Sequence, residues 1–202
     1  MQRRAALFLS LMIAGTMSLA HADGNMAAGK VKSAACQACH GADGNSVNPL
    51  WPKLAGQSAG YIVKQLSDFK SGKRKDPIMT GMAASLSTQD MEDVAAYFSS
   101  QKMSAGVDNA DADTVKIGEQ LYRGGDWKFG IPACMSCHGP AGHGIPPRFP
   151  RIAGQHAAYL EKQLVAFKNG DRTNDGNVMG PIAFRMSLAQ IKAVAGYMQG
   201  LH

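Results

Sequence analysis

The chain has 202 residues, of which 18% are charged and 7% aromatic, with a formal net charge of +6 and four cysteines. A charge this mild excludes a general nucleic-acid binder. Beyond the first residues no apolar run reaches the ~18 residues of a membrane-spanning helix.

Arg3 and Arg4, the apolar run Ala5 to Ala14 and the closing Ala20-His21-Ala22 read as a secretory signal peptide, residues 1–22, with cleavage after Ala22. The residues after the arginine pair do not complete a twin-arginine pattern, so the general secretory route to the periplasm is expected. The mature chain then starts at Asp23, has 180 residues, and carries +4 once Arg3 and Arg4 are removed from the +6. A short helix is expected over Met26 to Ala34, running into Cys36-Gln37-Ala38-Cys39-His40. Tyr61, Ile62, Leu66 and Phe69 mark a second helix closed by Gly72. The cluster Lys70-Ser71-Gly72-Lys73-Arg74-Lys75 reads as a solvated helix end, or else as a docking patch for an acidic redox partner. Ser87 with Asp90 forms a capping box ahead of the apolar stripe Met91, Val94, Ala95 and Phe98. A polar stretch follows, with the linker placed at residues 104–113.

The chain then repeats itself. Thr114 to Arg123 is the next short helix, and Gly124 to Ala133 is an insertion, read as a surface loop, ahead of Cys134-Met135-Ser136-Cys137-His138. Pro52 to Gln57 is answered by Pro150 to Gln155, and Tyr61, Lys64, Gln65, Leu66, Phe69 and Gly72 recur 98 positions on. From Met79 the offset is 100, and Ser187 with Gln190 caps a stripe of Ile191, Val194, Ala195 and Met198. Sustained period-two alternation is missing, so the fold class is all-α. A repeat of this length is a domain duplication: an N-terminal domain at 23–103 and a C-terminal domain at 114–202.

The two pentapeptides use every cysteine and read as covalent c-type haem sites. Two thiols three positions apart on one helical turn can form thioethers to one porphyrin, and the adjoining histidine places a nitrogen on the iron. A disulfide, a redox dithiol or a zinc ribbon would not need the histidine. The 98 residues between the pairs are also too many for a ribbon. In domains this small, a covalently held macrocycle supplies much of the interior.

A thioether sulfur opposite histidine closes the iron's coordination and favours the ferrous state. Among the methionines after the leader, only Met79 has a methionine partner in the other half, Met179. They stand 39 and 41 residues after His40 and His138, in what the sequence reads as loops before the last helix of each half. They are the candidate sixth ligands, with Met82 or a histidine as the alternative. His143, His156 and His202 lack counterparts and read as surface residues.

These residues resemble class I cytochrome c, and as a tandem pair the diheme cytochrome c4 family. The carriers are both CxxCH motifs, the blocks Pro52 to Gln57 and Pro150 to Gln155, Met79-Thr80-Gly81-Met82, Leu121-Tyr122-Arg123-Gly124-Gly125 and the ending Gly200-Leu201-His202. The resemblance implies two similar domains, each wrapped around one haem c and related by a pseudo-twofold axis, with haems facing each other across the interface. It implies that the carbonyls of Pro52 and Pro150 accept a hydrogen bond from the rings of His40 and His138. Cys36, Cys39, Cys134 and Cys137 would carry the thioethers, and His40, Met79, His138 and Met179 would be the iron ligands. The expected role is a periplasmic electron carrier, not an enzyme, monomeric and working by outer-sphere transfer. A quinol-oxidising complex is the expected donor and a terminal oxidase the expected acceptor. The alternatives are the haem subunit of a larger dehydrogenase, or a diheme peroxidase or sulfur-compound oxidising enzyme, which needs an iron open to small ligands.

Overall fold

A computed structural model describes residues 24–106 and 110–201. The leader, residues 1–22, and His202 lie outside the described residues. Among the described residues the regular structure is helical, with two isolated bridges, Asp126 to Ile131 and Ile145 to Phe149.

The first half runs α1 (Met26–Lys32), α2 (Gln37–His40), α3 (Ala59–Lys70), α4 (Pro77–Ala84) and α5 (Thr88–Ser99), with a 3-10 turn at Ser33–Ala35. The second half repeats the order as α6 (Ala112–Gly124), α7 (Met135–His138), α8 (Ala157–Asn169), α9 (Met179–Phe184) and α10 (Leu188–Gly200). In the first half α5 packs on α1 and α3, and α4 on α3. In the second half α10 packs on α6 and α8, and α9 on α8. Both capping boxes form: the hydroxyls of Ser87 and Ser187 accept from the Asp90 and Gln190 N–H groups, and those two side chains accept in return from the cap residues' N–H.

The cores follow the apolar stripes. Ile62, Leu66, Phe69, Met91, Val94 and Phe98 form one buried cluster, and Tyr122, Leu160, Leu164, Ile191, Val194 and Met198 lie in the other. The first helix of each half crosses the last at a glycine. A Cβ on Gly29 would sit 1.9 Å from the carbonyl oxygen of Asp93, and one on Gly118 2.4 Å from that of Ala193. Only a residue without a side chain lets those backbones approach so closely.

The halves are joined by reciprocal hydrogen bonds. Gln57 donates through Nε2 to Arg151 O and accepts from Arg151 N, each at 2.9 Å, while Gln155 donates to Lys53 O at 2.9 Å and accepts from Lys53 N at 2.8 Å. Arg74 donates to Tyr159 Oη and Arg172 to Tyr61 Oη, both at 2.9 Å. Each guanidinium also stacks on a phenylalanine of its own half, Arg74 4.6 Å from the Phe69 ring and Arg172 4.5 Å from that of Phe167. Every one of these pairs maps onto its mate by the 98-residue shift, which is the pseudo-twofold relation written in contacts.

Four sequence expectations need correction. Arg74 is buried at this interface, so the Lys70 to Lys75 cluster is not uniformly solvated; of its cations only the lysines face solvent. The 98-residue register also extends two residues past Gly72 and Gly170 to Arg74 and Arg172, so the change to an offset of 100 falls after the arginines and not at the glycines. His156 is half-buried, with Nε2 2.7 Å from Ser46 O of the other half, because α8 starts at the domain contact. The insertion after α6 is a tight turn whose tip is exposed but whose Ile131 is buried in the core. Where the first half leads into the connection the chain is pinned as well: Ser104 N donates to Asn45 Oδ1 at 2.7 Å, Lys53 Nζ donates to Ser104 O at 2.9 Å, and Met103 is buried beside the Gly56 and Gly154 turns.

Candidate haem sites

Each CxxCH pentapeptide closes one helical turn. His40 N donates to Cys36 O at 2.9 Å and His138 N to Cys134 O at 3.0 Å, which sets both thiols and the imidazole on the same short stretch of backbone. Gly41 and Gly139 follow at φ 81° and 80°, a left-handed conformation that turns the chain away from the site. All four thiols are free and half-buried, and no cluster of three or more His, Cys, Asp or Glu forms among the described residues, so the fold does not bring together the ligand set of a zinc ribbon.

The histidine rings are buried and held by one bond. His40 Nδ1 lies 2.8 Å from Pro52 O, and His138 Nδ1 lies 2.9 Å from Pro150 O. With the proton on Nδ1 donated to that carbonyl, Nε2 keeps its lone pair, and no described protein group bonds it. A buried nitrogen without a partner costs free energy unless something takes its lone pair, and an iron on that side would do so. Burial also lowers the pKa of both imidazoles, which favours the neutral ring a metal needs, and raises the thiols of Cys36 and Cys134, the latter to about 11. The residues fit a haem: a neutral imidazole, two unoxidised thiols and an apolar wall in each half.

Met79 and Met179 are not in loops. Met79 lies in the first turn of α4 and Met179 is the first residue of α9, because an aspartate side chain upstream accepts from each one's backbone N–H, Asp76 at 3.1 Å for Met79 and Asp175 for Met179. Both are half-buried against the cluster of their own half, with Cys36 or Cys134 packed on the same cluster. Met91, Met103, Met186 and Met198 are buried packing residues, and Met82 is exposed. His143 is exposed, and His156 is taken by its bond to the other half.

Sequence reasoning missed the cross-domain set of Gln57, Gln155, Tyr61, Tyr159, Arg74 and Arg172. The available signal was that Gln57 and Gln155, and Arg74 and Arg172, match between the halves outside the apolar stripes, while Tyr61 and Tyr159 carry a matched hydroxyl within them.

Two helical units, each with a CxxCH turn, a buried imidazole and a methionine on the same core, define a tandem c-type cytochrome. Comparison with known proteins agrees. The cytochrome c family profile matches residues 26–102 and 115–202. Cytochrome c4 of Pseudomonas aeruginosa is 52% identical over 200 residues, which cover 97% of this chain and 98% of the relative. The crystal structure of reduced recombinant cytochrome c4 from Pseudomonas stutzeri matches with a TM-score of 0.84 at 50% identity, covering 89% of this chain and all of that one. A thiosulfate dehydrogenase electron acceptor of Stutzerimonas stutzeri strain A1501 is 45% identical, covering 81% of this chain and 77% of the relative. The chain belongs to the cytochrome c4 family, a diheme c-type cytochrome of electron transport that holds two covalent haem c groups.

Proposed function

We propose that the protein is an electron carrier of the periplasm and not an enzyme, with Cys36 and Cys39 holding one haem and Cys134 and Cys137 the other, and with His40 and Met79, and His138 and Met179, as the paired iron ligands. The domains assigned to these sites are residues 23–103 and 114–202, joined through 104–113. The observation that carries the reading is the matched pair of sites: in each half a buried imidazole with an unpartnered Nε2 shares its apolar cluster with a methionine and a cysteine.

When bound, each haem supplies a one-electron iron couple. The chain's own residues do the rest. The carbonyls of Pro52 and Pro150 fix the plane of each imidazole and hold its proton at Nδ1. The first turns of α4 and α9 present the methionines from the core, and the core clusters exclude water, so that little needs to rearrange when the charge changes. With an imidazole and a thioether both committed to each iron, no open site for a substrate would remain. The proposed donor is a quinol-oxidising complex and the proposed acceptor a terminal oxidase, by similarity to the cytochrome c4 relatives. A second reading, in which the donor is a dehydrogenase, is supported by the 45% identity to a thiosulfate dehydrogenase electron acceptor. Among the described residues no helix is long and apolar enough to cross a membrane.

The intact mass of the exported protein should show two haems. The reduced protein should not bind carbon monoxide rapidly at neutral pH; rapid binding would end the carrier reading for that haem. Co-purification with a dehydrogenase subunit would favour the second donor.

A further inference from the structure

The two halves differ at their surfaces just ahead of the cysteines. In the first half the chain passes straight from the 3-10 turn into Cys36, whereas the second half inserts the turn after α6, closed by the bridge between Asp126 and Ile131. The tip of that turn holds Trp127, 85% exposed, and Phe129, 61% exposed, with exposed Lys128 between them. Large aromatic side chains this free of water exclusion are uncommon on a monomer and anchor interfaces when they occur. The turn is not a loose excursion: Gln190 of α10 donates to Asp126 Oδ2 at 3.2 Å, and Gly130 lies against the Arg185 side chain. Arg185 follows α9, the helix that begins with Met179, and its neighbour Phe184 is 70% exposed. The exposed rings therefore lie between the segment leading into Cys134 and the helix carrying Met179, beside the residues that would hold the second haem.

Charge chooses the occupant. The turn's acid, Asp126, is half-buried and engaged by Gln190, and Asp175 beside Phe184 is half-buried and accepts from the Asn177 and Met179 N–H groups. The rings are therefore edged by cations: exposed Lys128 and Arg185, and Lys168, whose ammonium lies 5.4 Å from the Phe184 ring. The first half has a rival apolar stretch, Val47, Leu50 and Trp51, but Ser46 to Trp51 contains no charged residue. Resting on the carrier reading above, we propose that Trp127, Phe129 and Phe184, edged by Lys128 and Arg185, form the docking surface for the acceptor. Its partner face is an apolar socket rimmed by carboxylates, so electrons leave this protein through the second half. Hydrophobic burial of the rings supplies the contact, and the cations raise the encounter rate and fix the orientation.

The test uses the full haem-loaded protein, reduced, with a terminal oxidase and a quinol-oxidising complex purified from the same bacterium, and with ferricyanide as a small oxidant that needs no docking face. The double variant Trp127→Ala/Phe129→Ala should slow the oxidase reaction about tenfold or more. Its ferricyanide rate, thermal midpoint and both reduction potentials should stay those of the wild type. Lys128→Glu/Arg185→Glu should also slow the oxidase reaction and weaken its fall with added salt. Val47→Ser/Leu50→Ser should leave it unchanged. Wild-type rates in the aromatic variant, or a larger loss in the Val47/Leu50 variant, would overturn the surface while leaving the carrier reading intact. If the aromatic variant lost reaction with the quinol-oxidising complex instead, the surface would be an entry and not an exit. A wild-type protein that exchanges electrons with neither complex would overturn both the surface and the proposed partners.

Discussion

The helix before each haem-binding turn is tied to the last helix of its half by different chemistry. In the first half Lys32 of α1 reaches Asp90 and Asp93 of α5, the latter at 2.7 Å, and Asp93 also accepts from Asn25 N at 2.8 Å. In the second half the equivalent residues are Leu121 and Ala193, both buried, and Tyr122 fills the place of Ser33. Tyr122 packs 5.5 Å from the Tyr197 ring and donates to Gly139 O at 2.6 Å, directly after the second CxxCH. The same crossing, made at the same glycine position, is thus held by ions in one half and by carbon in the other. A shared backbone geometry needs only that the crossing be close and its polar atoms satisfied; the means are interchangeable.

Breaking the two sites separately gives the largest expected effects. Met79→Ala should abolish the methionine-to-iron charge-transfer absorption of the first haem and leave the second, and Met179→Ala should do the reverse; retention of both bands in either variant would show that another group is the ligand. Next come the cores. Phe98→Ala and Met198→Ala empty equivalent places on α5 and α10, and should cost about 3–5 and 2–5 kcal/mol respectively, read from denaturant midpoints of the loaded protein.

The joint between the halves is the third target. Arg74→Ala takes from the Tyr159 hydroxyl its guanidinium donor and leaves Gln163 with Arg172 alone, at a cost of about 1–3 kcal/mol. Calorimetry should then show the single unfolding transition separating into two, and Arg172→Ala should match it by symmetry. An unchanged single transition in both would mean that the remaining cross-domain bonds suffice. Smaller again are the caps: Ser87→Ala and Ser187→Ala should each cost about 1 kcal/mol.

Acid provides the mildest way to tell the halves apart. The hydrogen bond from Lys32 holds the Asp93 carboxyl at a pKa of about 2, below its ordinary 3.8, so the tie is complete above about pH 4 and is lost as the pH falls toward 2. The Leu121 and Ala193 seam has nothing to titrate. Urea midpoints taken at pH 7, 4 and 2 should therefore fall more for the wild type than for Asp93→Asn, whose stability at pH 7 is already reduced. Parallel curves would remove the ionic tie from the account.

Much of this could be read along the chain. The CxxCH turns, the capping boxes at Ser87 and Ser187 and the apolar stripes of α5 and α10 depend on residues within four positions of one another, and such spacing is visible before folding. The methionines were found by matching the halves, but their placement in loops was wrong. The aspartates that start those helices sit three and four residues upstream, in the stretch where the two halves have different lengths. Arg74 and His156 read as surface residues because their partners across the joint lie 85 to 110 residues away, and nothing local distinguishes a lysine-rich helix end from a buried guanidinium.

The amino-acid sequence by itself determined two helical units, the turn that presents two thiols and an imidazole, and the register of the duplication, because each follows from short-range periodicity and side-chain chemistry. Only the tertiary structure decided which matched residues became a joint, which aspartate replaced an apolar contact, and which aromatic rings were left facing water. Those outcomes depend on whether a polar or apolar group, once the chain has folded back on itself, finds a partner there or is left to the solvent.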